Sequence, residues 1–313
     1  MLRRCKDIKL AAVLLKTGCV CVSVMSFSVI GLGLSGFAQA QNAPAKIIDG
    51  AAGLFDDLKS VKPEIIPSGR VKRVISGNSL ELDSGLKVRL AGITAPRQNR
   101  DSLSPRSASD QSSADRSLFE QARLALEDRV KGRDIGLAYI GPQRDRYSRA
   151  IAQVFVLDDG GKREVWLQEE MVLAGFARVY SWAESVFRTD YLYEAEQEAR
   201  NAGRGIWKEG GAFKIRSPDP NTLAQHVDSF QIVEGIIISA ADVRGRVYLN
   251  FGSDYKTDFT VTIAKKHRKK FDAAGLDLLS LEGARIRVRV WVELYNGPVI
   301  WIDHPERIEM LDG

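Results

Sequence analysis

Arginines are the residues of this chain whose placement most invites a chemical reading. The stretch "VRLAGITAPR" (88–97) sets Arg89 in an apolar run and closes on Pro96 and Arg97, and "DRYSRAIAQVFV" (145–156) brings Arg146, Tyr147 and Arg149 together. A guanidinium is always charged and presents a planar fork of donors that matches phosphate or carboxylate oxygens. Such groups can hold a phosphodiester and stabilise the charge that builds in its transition state, but they cannot generate hydroxide. Groups that could do so are scarce. The three histidines, His226, His267 and His304, all lie beyond residue 208, which removes imidazole bases and histidine metal sites from the first half. Each reads as a solvated or locally hydrogen-bonded side chain. Cys5, Cys19 and Cys21 all fall in the first forty residues, leaving the remainder without a thiolate nucleophile, a disulfide or a cysteine metal site.

A second arginine pattern lies near the end. Arg285, Arg287 and Arg289 alternate with Ile286, Val288 and Val290, so a strand would carry the arginines on one face. Arg244, Arg246 and Tyr248 repeat the arrangement, with Trp291, Tyr295 and Trp301 close by in sequence. Two readings stand side by side. One is a track for single-stranded nucleic acid, with the three arginines of 285–289 binding substrate. The other is an ordinary solvated sheet face with acids such as Asp258 opposite. The near-neutral charge of this half argues against strong nonspecific binding.

Elements must exist to position these groups. "VKRVIS" and "SLELD", joined by the turn-prone Gly77-Asn78, and "KVRLAGI" read as three strands. A polar loop (97–113) leads to a helix announced by the capping-box spacing of Ser112 and Asp115 and by Leu118, Phe119, Ala122, Ala125, Leu126 and Val130 at helical intervals. "RDIGLAYIG" and "RAIAQVFVL" read as two more strands; "EVWLQEEMVLAG" and "DYLYEAEQEARNAG" read as closing helices, the last stopping at Gly203. That order suits an OB-type barrel with added helices. "FQIVEGIIISA", "RVYLNFG", "DFTVTIA", a helix over 266–274, "RIRVRVWVEL" and "PVIWID" repeat it. The expected fold is therefore mainly β with helices (α+β), one OB barrel followed by a second OB-like module. The expected domains are 68–208 and 230–313, with linkers at 41–67 and 209–229.

The first forty residues read as a leader. Arg3, Arg4, Lys6, Lys9 and Lys16 precede an uncharged run that ends on Ala38-Gln39-Ala40, a pattern a signal peptidase reads. The run is long enough to stay as a membrane anchor instead. Export to the periplasm or outside is the leading expectation, with inner-membrane anchoring the alternative. Without the leader, 40 basic residues face 39 acidic ones, so the whole-chain pI near 9.0 says little about nucleic acid.

"VISGNSLEL", "VRLAGITAPR", "DRYSRAIAQVFV", "LAGFARVY" and "EAEQEARNAGRGIW" together resemble the staphylococcal nuclease (thermonuclease-like) family over about 68–208. The resemblance implies an OB barrel with added helices and calcium-assisted hydrolysis of DNA or RNA. It makes Arg89 and Arg149 the pair that holds the scissile phosphate; Arg97, Arg146, Tyr147 and Tyr180 are the further residues expected to bind substrate. It also exposes departures. The family's Asp-Gly-Asp-Thr turn is Ser76-Gly77-Asn78-Ser79 here, and its Ile-Asp-(Ala or Thr)-Pro-Glu is Ile93-Thr94-Ala95-Pro96-Arg97. Asn78 and Thr94 thus stand where the resemblance puts calcium carboxylates, and Arg97 where it puts the acid that orients water.

Calcium takes about six to eight oxygen ligands, with carboxylates supplying the charge. Neutral Asn78 and Thr94 beside arginines fall short of that, so no cofactor is expected. The expected function is binding of DNA, RNA or another phosphodiester with calcium-dependent cleavage lost or impaired. One rival is an active nuclease using another metal or a carboxylate of Asp101, Asp110 or Asp115. Another is an envelope scaffold in which Arg89 pairs with Glu81 or Asp83, and Arg149 with Asp145.

Overall fold

The computed structural model describes residues 64–97, 113–208 and 213–311. The leader, the loop with Asp101 and Asp110, Ser112 and the side chain of Asp115 lie outside the described residues. In chain order the first half runs β1 (Ile66–Ser76), β2 (Ser79–Leu82), β3 (Lys87–Leu90), β4 (Ile93–Thr94), α1 (Ser113–Val130), β5 (Asp134–Ala138), β6 (Ala150–Leu157), β7 (Arg163–Trp166), α2 (Leu167–Leu173), β8 (Arg178–Val179) and α3 (Thr189–Asn201).

β1 and β2 form the hairpin expected at Gly77-Asn78, with Ser76 opposite Ser79. β3 pairs antiparallel with β2 and parallel with β6; β6 pairs with β5, and β5 returns to β1. This circuit closes a five-stranded barrel around Leu80, Leu82, Val88, Leu90, Ile135, Leu137 and Val154. Gly77 has no substitute at its position. A Cβ there would lie 2.7 Å from Ala122 Cβ on α1 and 2.8 Å from Ala95 Cβ. α1 therefore seats directly on the turn, and its apolar stripe of Ala122, Leu126 and Val130 is buried.

The parallel seam between β3 and β6 needs a polar clasp. Gln168 of α2 supplies it, fully buried: its Oε1 accepts from Val154 N (3.1 Å), and its Nε2 donates to Ala152 O (2.9 Å) and Ala91 O (3.3 Å). Ala152 O also accepts from Ala91 N (2.9 Å), so the clasp reinforces a backbone bond across the seam. Gln168 thereby holds the end of β3, and with it Arg89, against β6. The stretch "EVWLQEEMVLAG", expected as one helix, is instead β7 followed by α2. Val165 and Trp166 extend the ladder opposite Val156 and Phe155, a role their branched and aromatic side chains favour.

The second half runs β9 (Ile215–Arg216), α4 (Pro220–Ala224), β10 (Phe230–Ile236), β11 (Ser239–Val243), β12 (Arg246–Asn250), β13 (Thr260–Ile263), α5 (Arg268–Ala273), β14 (Arg285–Trp291), β15 (Glu293–Tyr295), β16 (Gly297–Ile302) and β17 (Ile308–Leu311). β11, β12 and β13 pair in succession, β13 runs parallel to β16, β16 pairs with β15, and β14 returns to β10. The order and the parallel seam match those of the first barrel. Leu249, Phe259, Val261, Phe271, Val288 and Ile300 fill this core.

Two pieces of sheet beyond the expected strands extend the second half. β9 adds parallel to β10, and β17 adds antiparallel to β14. The stretch between the barrels is thus built in: Leu223 of α4 is buried in the second core, and Phe213 packs against a small cluster of Ala199, Ile206, Trp207 and Ile232. Both barrels lie in one compact unit.

Candidate anion-binding site

Strand alternation puts Val88 and Leu90 in the core and Arg89 on the opposite side of β3. There Arg89 is half-buried, its guanidinium 4.7 Å from the centre of the Trp182 ring. β4 pairs with β8, and Tyr180 N donates to Gly92 O (2.8 Å), which fixes the segment carrying Tyr180 and Trp182 beside β3. The two rings meet edge to face at 5.8 Å. No described carboxylate forms an ion pair with Arg89. Glu81, the partner one sequence reading offered, bonds Arg73 (2.6 Å) and lies near Lys72. Burial first, and then the like charges of Arg149 and Arg97, push the Arg89 pKa below its ordinary value. That ordinary value is so high that the group stays a cation.

Arg149 is placed by a tight turn organised on Asp145. The Asp145 carboxylate accepts from Tyr147 N (2.9 Å), Arg149 N (3.0 Å) and Arg149 Nε (2.7 Å). Burial alone would raise the Asp145 pKa, but these bonds and the Arg149 charge hold it below the usual carboxylate range. The Arg149–Asp145 pair that the scaffold reading required does exist. Tyr147, 63% exposed, lies between the Arg146 and Arg149 guanidinium groups at 4.8 and 5.4 Å. Arg97 is exposed and reaches across to the second barrel, 5.7 Å from the Trp291 ring centre. Arg89 thus lies within electrostatic reach of Arg149, Arg97, Tyr180 and Asp145, and Asp145 itself is bonded to Arg149.

Asn78 and Thr94 have structural employment. Asn78 Oδ1 accepts from the Ser76 hydroxyl (3.1 Å) and its Nδ2 donates to Ile93 O (3.3 Å), which locks the turn; Thr94 is buried in the short β4–β8 ladder. Among the described residues no group of three or more His, Cys, Asp or Glu comes together to hold a metal ion.

The reading of Arg285, Arg287 and Arg289 as a substrate track is corrected by the geometry for Arg287 and Arg289, and so is the alternative of a solvated face; Arg285 alone stays exposed. Arg289 is 2% exposed and ion-pairs with Glu196 of α3 and Glu309 of β17, each at 2.5 Å. Arg287 joins Glu309 (3.1 Å) to Glu234 (2.7 Å), and Arg285 shares Glu234 at the exposed end. Arg200 completes the chain on Glu196 at 2.6 Å. The face does alternate, but β17 and α3 cover it with carboxylates. Burial would depress the Arg289 pKa, yet Glu196 and Glu309 raise it; Arg289 and Arg287 in turn hold Glu309 low against its own burial. A buried charge is tolerable only when paired in this way.

Sequence reasoning also missed a clasp between the barrels. His304 is 1% exposed; its Nε2 meets Ser181 Oγ at 2.8 Å and its Nδ1 meets Asp303 at 2.7 Å. Burial depresses the His304 pKa despite Asp303, while the His304 bond holds Asp303 well below the ordinary carboxylate range. A neutral ring donating from Nδ1 and accepting the Ser181 hydroxyl proton satisfies both partners. Ser181 is itself buried, so this Ser–His–Asp relay works as an internal latch rather than as an open nucleophile. Glu196 left a trace that could have been read: it interrupts the apolar stripe of Leu192, Ala195 and Ala199.

A closed barrel with a parallel seam, flanked by helices, defines an OB-type fold, and its outer face carries arginines beside aromatic rings. Residues 87–209 match the family model described as Staphylococcal nuclease homologue, so this stretch is a domain of that kind. The match begins at β3, while β1 and β2, which lie before it, complete the same barrel. No curated protein matches the chain.

Proposed function

We propose that this protein binds the phosphodiester of a nucleic acid through Arg89 and Arg149 and does not cleave it with calcium. The observation that carries the reading is Arg89: a partly desolvated cation, stacked on Trp182, with no described carboxylate partner. Such a charge is poised for an incoming anion, because low local dielectric strengthens a charge-assisted hydrogen bond once formed. Arg149 is aimed by Asp145 rather than cancelled by it, since a guanidinium has further donors to give.

Calcium does not fit these residues. Asn78 spends its side chain on Ser76 and Ile93, Thr94 is enclosed, and the Asp145 carboxylate is taken up by the Arg149 guanidinium and by the Tyr147 and Arg149 amides. A divalent cation there would meet net positive charge. The basic start and Ala38-Gln39-Ala40 support export, so the proposed setting is the periplasm or the outer face of a membrane.

The test is a salt titration of binding to a labelled single-stranded oligonucleotide. Affinity should fall steeply with salt, and the Arg89→Ala, Arg149→Ala double variant should lower the log–log salt slope by about 1. An unchanged slope in the double variant contradicts the reading.

A further inference from the structure

Trp291 stands apart from the other exposed aromatics of the second barrel because an arginine of the first barrel, Arg97, lies against its ring. It is 37% exposed, at the end of β14, with the Arg97 guanidinium 5.7 Å from its ring centre. Aromatic residues mark the way from it to Arg89, the last step being a strand register rather than a ring contact. Trp182, under Arg89, meets Tyr180 at 5.8 Å; Tyr180 meets Phe230 at 5.0 Å; and Phe230 pairs with Trp291 across β10 and β14. Arg178 fastens the same seam by donating to Phe230 O at 3.0 Å. The second barrel thus puts an indole beside Arg97, an arginine of the first.

Resting on the phosphodiester reading above, we infer that Trp291 is the stacking platform for an unpaired nucleobase, and hence that the substrate is single-stranded. The chemistry of the place supports this. Phosphates need cations, which Arg89, Arg149 and Arg97 provide, while a base needs a flat apolar face, which Trp291 provides within reach of Arg97. An indole ring with a guanidinium beside it stacks any base without reading its edge, so the site should be tolerant of sequence. Bases in a duplex are already stacked and paired, and they cannot lie on Trp291 without being extruded. The second barrel is thereby part of the binding site, with no role required of Arg287 and Arg289.

The experiment compares two single-stranded decamers of equal charge, oligothymidylate and an abasic decamer, by fluorescence anisotropy on the purified protein. The wild-type protein should prefer oligothymidylate. Trp291→Ala should weaken oligothymidylate binding about 5- to 150-fold, the span of one base–aromatic stack, and leave the abasic decamer unaffected. Trp291→Phe should keep most of the preference. If the alanine variant does not fold, Trp291→Leu against Trp291→Phe makes the same comparison, leucine losing the preference. Equal affinity of Trp291→Ala and wild type for oligothymidylate, or equal loss for both decamers, overturns the inference and leaves the arginine reading standing. Failure of the wild-type protein to bind either decamer at low salt overturns both.

Discussion

The two barrels share a strand order and a parallel seam, yet they treat the same residue type in opposite ways. On β3 an outward arginine, Arg89, meets indole and phenol rings and like charges. On β14 two outward arginines, Arg287 and Arg289, meet Glu234, Glu309 and Glu196 and vanish from the surface. Period-two alternation decides which side of a strand a residue takes; it does not decide what covers that side. On the first barrel Arg89 keeps no described carboxylate partner, whereas on the second Arg287 and Arg289 are consumed in ion pairs that hold the molecule together.

Breaking the neutralised side should have the largest effect. Glu196 touches Arg200, Arg289 and Val179 N, so Glu196→Ala takes the ion-pair partner from buried Arg200, leaves Arg289 with Glu309 alone and strands a backbone donor. We expect a loss of about 3–5 kcal/mol in chemical denaturation. The corresponding change on the open side, Arg89→Ala, should leave stability nearly unchanged, because no ion pair is lost.

Gly77→Ala probes the floor of the open site. Its new methyl would drive into Ala122 and Ala95, two Cβ atoms that cannot rotate away. Destabilisation of about 1–3 kcal/mol should follow, read from the shift in denaturation midpoint. Binding measured on the folded fraction should weaken as well, since the turn that Asn78 locks shares β4 with the Tyr180 segment.

The latch between the barrels predicts a pH dependence with a definite sign. The unfolded chain protonates His304 near its ordinary 6.5, whereas burial keeps the folded pKa lower. Between those values the unfolded state binds more protons, so stability falls as pH drops below about 6.5. His226 and His267 shift in the same direction, so His304→Gln should make this decline shallower without abolishing it, as followed by melting temperature from pH 7.5 to 5. Asp303 acts in a lower window, below its ordinary 3.8.

The smallest effect sharpens the comparison most. Arg285 is half-exposed and already paired with Glu234, so Arg285→Ala should change oligonucleotide affinity by less than about twofold, in keeping with a rim charge. A loss equal to that of Arg89→Ala would erase the distinction between the barrels.

Much of this architecture was legible in the residues. The Gly77-Asn78 turn, the strands around Arg89 and Arg149, the repeated strand order of the second half and the buried stripe of α3 all follow from local periodicity and turn chemistry. What stayed hidden was contact between distant segments. Nothing near Arg289 announces that β17 and α3 will cover it, because Glu309 and Glu196 lie 20 and 93 positions away. The Arg97–Trp291 contact and the Ser181–His304 latch are likewise made only when the barrels meet. The split of "EVWLQEEMVLAG" into β7 and α2 reflects an edge of β6 that still needed pairing.

The central claim is that the arginine cluster binds a phosphodiester without calcium-dependent cleavage. The direct measurement incubates end-labelled single-stranded DNA and RNA with the purified protein, in calcium and in chelator, and follows both the bound fraction and fragment formation. The account predicts equal binding in the two conditions, lost in the Arg89→Ala, Arg149→Ala variant, and no fragments that depend on calcium. Calcium-dependent cleavage abolished by Arg89→Ala would contradict it.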